Sequence, residues 1–295
     1  MNLDDKMFSA SQVGGLSALI PTAEDSETVR GWVADPANEK DRLGPAEKFT
    51  LELDKAPNIK ERLKAFKYMV DFEPKKVEIK PDIDSLKKAS KQVKESTKLT
   101  RLLEIVLHVG NFLNAGTNNG QAWGFKLSSL NKLCDTKTTD NKASLMDYMI
   151  EIVEKQSTDL LSVKEDLEAT PAAVRVSLQQ LQGELGKLTG EFNNVKKLAE
   201  SIPSAGPTDQ FHEKINTFFV KTEADLQKMN EDYKDAEGEY SELCKLYGED
   251  PKNAGPDEGS NLFKYFATFV DNLEVCSIQL VIKYISRFFL FHFVV

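Results

Sequence analysis

The chain has 295 residues, 40% of them hydrophobic and 29% charged, the balance of a soluble, helix-rich protein long enough to bury one large core or two modest ones. Its formal net charge of −9 argues against sequence-independent nucleic-acid binding, which needs a surplus of lysine and arginine to displace counterions. Three widely spaced cysteines, Cys134, Cys244 and Cys276, form no CxxC, so neither a disulfide framework nor a zinc site is expected and the setting is a reducing cytoplasm.

Helical periodicity recurs along the chain and no strand-like alternation is sustained. The opening MNLDDKMFSASQ has neither the basic start nor the apolar run of a secretory signal. Thr22 before AEDSE reads as a capped helix start, with early acids to satisfy free N–H groups and the helix dipole. Pro45 suits a first helical turn. Leu51, Leu53, Leu63, Phe66 and Met69 predict two helices broken near Pro57, and Pro74 and Pro81 are expected to punctuate the next stretch. From Lys75 to Arg101 nine basic residues meet four acidic ones, either a solvated helix face or a surface for an acidic partner such as a filament.

Leu102, Val106, Val109 and Leu113 fall on one stripe, with Ile105 and Phe112 beside it, and predict a strong core helix. His108, inside that run, reads as a partly buried, satisfied histidine. Leu127 to Leu133 and Leu145 to Leu161 are expected to be helical. Leu178, Leu181, Leu185, Leu188, Phe192 and Val195 succeed one another in steps of 3, 4, 3, 4 and 3, a heptad pattern. SIPSAGPTDQ breaks that helix, and a second series from Phe211 to Tyr247, again in steps of three and four, predicts a long antiparallel partner. After GEDPKNAGPDEGS comes a short amphipathic helix, NLFKYFATFVDNLE. The stretch from Val275 to Val295 approaches the length of a membrane span, but it holds Lys283, Arg287 and His292, and a central charge costs roughly 2.5–3.5 kcal/mol. The fold class is therefore all-α: a compact helical body to about residue 165, then an elongated helical hairpin.

Signatures of catalysis are missing. The three histidines form no HExxH, the Gly-Lys of GELGKLTGEF fails the phosphate-loop pattern, and no catalytic or metal-ligating set and no cofactor is expected. The specific signal lies in LHVGNFLNAGTNNGQAWGFKLSSL. Gly110 within a helix costs roughly 1 kcal/mol relative to alanine and suggests close approach by another backbone or a bulky side chain. Asn111 and Asn114 are poor helix formers whose amides can tie down neighbouring backbone. They fit a pocket floor with polar fasteners, or equally an ordinary Asn/Gly helix exit.

LLEIVLHVGNFLNAGT followed by AWGFKLSSLNKLCDTKTTDNKASLMDYM closely resembles the formin homology 2 domain, with GNxxN at Gly110, Asn111 and Asn114 as its signature. LGPAEKFTLELDKAPNIKERLKAFKYMVDFEPKK upstream is similar to the family in the same order, and the likeness runs from about residue 1 to Glu274. The resemblance implies a non-enzymatic, all-α domain that nucleates and processively elongates actin filaments at the barbed end, in the cytoplasm with the actin cytoskeleton. It implies a knob remnant and connecting helices over 1–100, a post over 101–170, coiled-coil helices over 171–248 and a C-terminal helix over 260–274. Its partners would be actin and a second such subunit, the lasso of each wrapping the post of the other in a head-to-tail ring. Gly110, Asn111, Asn114, Trp123, Gly124 and Phe125 would form the lasso-receiving post motif, and Lys126 would contact actin. Leu178 to Val195 would be the coiled-coil stripe, an intramolecular core rather than a dimer zipper. Lys132, Lys137 and Lys142 lie near Lys126 without an implied role.

The sequence departs from the family pattern at both ends. No segment matches the tryptophan-bearing lasso, the linker or the early knob, so impaired dimerisation and activity are expected. No proline-rich tract is present to recruit profilin. The family continues past residue 274 with a charged helix, whereas 275–295 is apolar. Its internal charges argue against a membrane anchor and leave alternatively spliced or non-coding origin as the expectation. A helical scaffold or tail-anchored adaptor without actin-assembly activity is the alternative function.

Overall fold

A computed structural model describes residues 8–39, 42–204, 206–207, 209–251 and 262–293. All its regular elements are helices, and the one β-feature among the described residues is an isolated bridge, Lys137 to Ser144. The chain is all-α. It divides into two units, one of residues 1–80 and 182–231, the other of 81–181 and 232–295.

In the first unit, α1 (Ala10–Ala18) and α2 (Ala23–Ala34) both begin with capping boxes, Ser9 with Gln12 and Thr22 with Asp25. Pro45 opens α3 (Pro45–Asp54), as its missing N–H allows, and a bidentate ion pair joins Arg30 of α2 to Asp54 of α3. Three long helices contribute to this unit: α4 (Ile59–Glu95), α9 (Leu178–Glu200) and α10 (Phe211–Tyr247). Phe192 meets Phe219 at 5.7 Å, and Lys196 meets Glu223 at 2.9 Å while Asn230 reaches Thr189, so α9 and α10 run antiparallel. The hairpin has a third member. Tyr68 of α4 donates to the Leu188 carbonyl, Lys75 pairs with Glu191 of α9, and Lys76 pairs with Asp225 of α10. Leu185, Leu188, Phe192 and Val195 are buried in the resulting three-helix core with Phe72, Ile215 and Phe219.

One expectation fails in α4, which runs unbroken through Pro74 and Pro81. Both prolines are exposed, seven residues apart, so the carbonyls they leave unbonded face water. Burial of Phe72, Ile79, Ile83 and Leu86 on the opposite side holds the helix together.

The second unit is built around α5 (Thr97–Leu113), α6 (Leu145–Gln156) and α11 (Leu262–Phe293), with short α7 (Val163–Asp166) and α8 (Thr170–Ala173) between them. Leu127–Lys132 and Thr158–Ser162 are 3-10 helices, inside the stretches Leu127 to Leu133 and Leu145 to Leu161 expected to be helical. Such helices suit short pieces whose carbonyls must close within three residues. Leu99, Leu102, Val106 and Val109 of α5 are buried, whereas Leu113 of the predicted stripe and Phe112 beside it are exposed. His108 is exposed as well, against the expectation of partial burial. Here too the lysines that come after Pro81 meet acids of their own chain: Lys87 with Asp235, Lys88 with Glu168, Lys94 with Glu242 and Lys98 with Asp166.

The final helix differs most from expectation. The short helix and the apolar tail form one continuous α11 through Phe293. Leu262–Ser286 is long and apolar enough to cross a membrane by length and composition, and 28% of its apolar stretch is buried. Leu262, Phe263, Phe266, Phe269, Val270 and Leu273 of this helix are part of the unit's core. Residues 252–261, most of the expected break before it, lie outside the described residues.

Candidate functional site

The site grows from the end of α5. Ser96 caps the helix by accepting from the Leu99 N–H and donating to Asp166, and four buried apolar residues hold its inner face. At the other end the Asn114 N–H closes on the Gly110 carbonyl at 3.0 Å. The Asn114 carbonyl then takes both the Thr117 N–H, at 3.0 Å, and the Thr117 hydroxyl, at 2.8 Å. Gly120 passes so near this knot that a Cβ there would lie 2.6 Å from the Asn114 oxygen. Only glycine fits that approach.

Asn111 fastens the far side of the loop. Its amide nitrogen donates to the Ala122 carbonyl at 2.9 Å, and its amide oxygen accepts from the Ala122 N–H at 2.7 Å. This two-point tie satisfies an irregular backbone turn that no helix or strand partner serves. The chain then reaches Lys126, whose carbonyl accepts from Ser129 at the start of the 3-10 turn, while Leu127 and Leu130 anchor the turn in the core. Beyond it the Met146 N–H bonds the Leu133 carbonyl and the Leu145 N–H bonds the Thr136 carbonyl, which joins the following loop to α6. A Ser144–Asp147 capping box starts that helix.

These ties leave a cavity of about 240 Å³. Gly110, Asn111, Asn114, Gly124 and Phe125 line it, with Val106, Leu107, Leu133, Thr136 and Leu145 supplying further wall. It exceeds the roughly 150 Å³ of an apolar cavity that accepts a benzene ring. The expected close approach over Gly110 is not made within the chain: a Cβ built there meets nothing within 4 Å. The glycine opens the floor of the cavity. Trp123 is not among the lining residues, and its side chain is 102% exposed. Lys126 is exposed beside the mouth, and Lys132 forms part of the rim.

Sequence reasoning missed the wall contributed by Leu133, Thr136 and Leu145, which no spacing rule connects to Gly110. It also missed a second groove of about 300 Å³ between α5 and α6, lined by Ile105, His108, Phe112, Tyr148 and Ile152. The signal was available in Phe112, whose place beside the α5 stripe left its facing undecided. Behind the cavity wall, burial pushes the Cys134 thiol up to about 12, aided by its hydrogen-bonded neighbour Cys276 and by Asp135 and Asp147. Among the described residues no group of three or more His, Cys, Asp or Glu is placed to hold a metal ion.

Residues 1–274 match the Formin Homology 2 Domain. The chain belongs to that family. It is 36% identical over 276 residues to Formin-A of Dictyostelium discoideum, covering 92% of this chain and 22% of that protein. It is 30% identical over 252 residues to Formin-like protein 6 of Oryza sativa subsp. japonica, covering 85% of this chain and 18% of the relative. To Formin-like protein 17 of Arabidopsis thaliana it is 30% identical over 250 residues, covering 84% of this chain and 50% of the relative. The chain thus spans half or less of the length of these relatives. Within the formin homology 2 match, Gly110, Asn111 and Asn114 are the residues that open, tie and terminate the cavity floor.

Proposed function

We propose that this chain is the actin-binding core of a formin, acting by binding and positioning actin subunits at filament ends in the cytoplasm rather than by covalent chemistry. The observation that carries the reading is the vacant floor over Gly110, within a family match that spans residues 1–274. A rigid, polar-fastened cavity with an apolar wall suits one bulky aromatic side chain delivered by another subunit. Gly110, Asn111, Asn114, Gly124 and Phe125 form the socket. Trp123 lies at its rim, where an inserted segment would cover its exposed ring. Residues 101–170 serve as the post, 1–100 as knob and connecting helices, and 171–248 as the coiled-coil region, with the Leu178 to Val195 stripe as internal core.

Lys126 is the actin contact: an exposed cation beside the socket steers and orients an acidic surface. Taken alone, the 295 residues are expected to bind actin weakly without closing a head-to-tail ring.

Co-sedimentation with actin filaments and a bulk assembly assay test this reading. The 295-residue chain is expected to pellet with filaments, and Lys126→Asp to lower the bound fraction several-fold. Gly110→Trp fills the socket from within, so it should leave filament binding intact and abolish capture of an intact formin homology 2 subunit. Absence of filament binding, or equal binding by Lys126→Asp, overturns the actin assignment. A ring-like dimer of the 295 residues that accelerates assembly at nanomolar concentration overturns the proposed impairment.

A further inference from the structure

Beyond Glu274, α11 has two unlike faces. One is turned onto its own unit. The Cys134 thiol lies in hydrogen-bond contact with Cys276, and Leu280 is buried. Lys283 Nζ donates to the Lys142 carbonyl at 3.3 Å, and the Tyr284 hydroxyl bonds Glu151 at 3.3 Å, although both side chains stay exposed. The other face carries Val275, Ile278, Val281, Ile282 and Ile285, each 48–57% exposed. Glu274, just before it, is held by Lys164 at 2.6 Å.

This exposed stripe has a definite pitch. Val275, Ile278, Ile282 and Ile285 are spaced in steps of 3, 4 and 3, the a and d positions of a heptad, and the sequence continues the step to Phe289. The only charged residue between 275 and 285 is Lys283, and it is on the opposite face. A helix lying on an anionic lipid surface would instead flank its apolar stripe with free cations. A membrane span is disfavoured by the same helix, because its first part is core.

We propose that this face of α11 is a coiled-coil seam that associates with the same face of a second copy of this chain. A stripe in 3–4 steps accepts knobs from a helix of matching spacing, and a second copy offers one by construction. Each copy contributes branched side chains and no charge, so pairing removes apolar surface from water without burying an ion. Isoleucine at both a and d positions allows more than two helices to join. This association is separate from the socket at Gly110 and does not close a ring.

Sedimentation velocity of the 295-residue chain, in lipid-free buffer at micromolar concentration, reads the result. The expected outcome is concentration-dependent association to at least twice the monomer mass. Ile278→Glu with Ile282→Glu should return it to monomer, with helical circular dichroism unchanged because both positions are exposed in the single copy, and with an unfolding midpoint that no longer depends on protein concentration. Ile282→Cys should form an inter-copy disulfide on oxidation by oxidised glutathione, releasing two reduced glutathione molecules per bond, whereas the native Cys276 on the inner face should not. Gly110→Trp should leave the association intact. A monomer at all concentrations overturns the proposal, as does association insensitive to the double substitution. Flotation of a monomeric chain with phosphatidylcholine–phosphatidylserine vesicles also overturns it and assigns the face to lipid. Loss of association in Gly110→Trp moves the interface to the socket.

Discussion

Two irregular polar stretches interrupt the long helices, and they have opposite fates. Between α9 and α10, Pro203 and Asp209 close around Arg62, which is 1% exposed. Its guanidinium donates to Asp209 at 2.9 and 2.7 Å, to the Pro203 carbonyl at 2.9 Å and to the Pro57 carbonyl at 2.8 Å, and it lies 4.7 Å from the Phe211 ring centroid. The loop after α5 is fastened as carefully, by Asn111 and Asn114, yet its centre is empty. Where a chain fills its own polar break from within, the result is stability. Where it fastens the rim and leaves the middle open, the order of the loop serves something outside.

Arg62→Ala puts the closed stretch to the hardest test. It removes the guanidinium and leaves the buried Asp209 carboxylate without its ion-pair partner, with only neutral donors such as the Phe211 N–H still in place, so the expected loss is about 3–5 kcal/mol, read as a shift in denaturant midpoint. A loss below about 1 kcal/mol, the range of an exposed ion pair, would show that water relieves Asp209 and that the stretch is not closed. Asn111→Ala comes next. It deletes one tie and leaves the exposed Ala122 N–H and carbonyl to water, with an expected cost of about 0.5–1.5 kcal/mol and faster proteolysis within residues 114–126.

Gly110→Ala should do the reverse. Nothing stands within 4 Å of the added Cβ, so relief of the helical glycine stabilises the fold by about 0.5–1 kcal/mol while narrowing the socket. Destabilisation would mean that the floor is already occupied. The smallest effect is on pH dependence. The folded pKa of Cys134, about 12, lies above the ordinary thiol value of 9.0, so the native state keeps a proton that the unfolded chain gives up. That contribution is whole below about pH 9 and declines as pH rises toward 12. Replacing Cys134 with alanine should flatten this alkaline limb in unfolding curves.

Much of the α-helical scaffold was legible because its signals are local. Thr22 and Pro45 mark helix starts through the chemistry of free N–H groups, and the 3–4 steps from Phe211 to Tyr247 predict one helix because they keep its buried residues on one face. The same reasoning failed at Pro74 and Pro81, where water serves the carbonyls that a proline strands. It failed again at Phe112 and Leu113, because a stripe shows which residues share a face and not how far along the helix the neighbouring elements extend.

The all-α class, the family likeness, and the cluster of Gly110, Asn111 and Asn114 as the place to look were all readable from residue order alone. Other features had to wait for the packed chain: that Gly110 opens onto a void, that Trp123 stands outside it, and that Leu133, Thr136 and Leu145 complete the wall. Packing also joins α4 to the α9–α10 hairpin and turns Lys283 away from the apolar face of α11. The reason is physical. Caps, prolines and periodicity act over one or two turns of chain, whereas a cavity or an exposed face is set by which distant elements arrive to cover it, and by which do not.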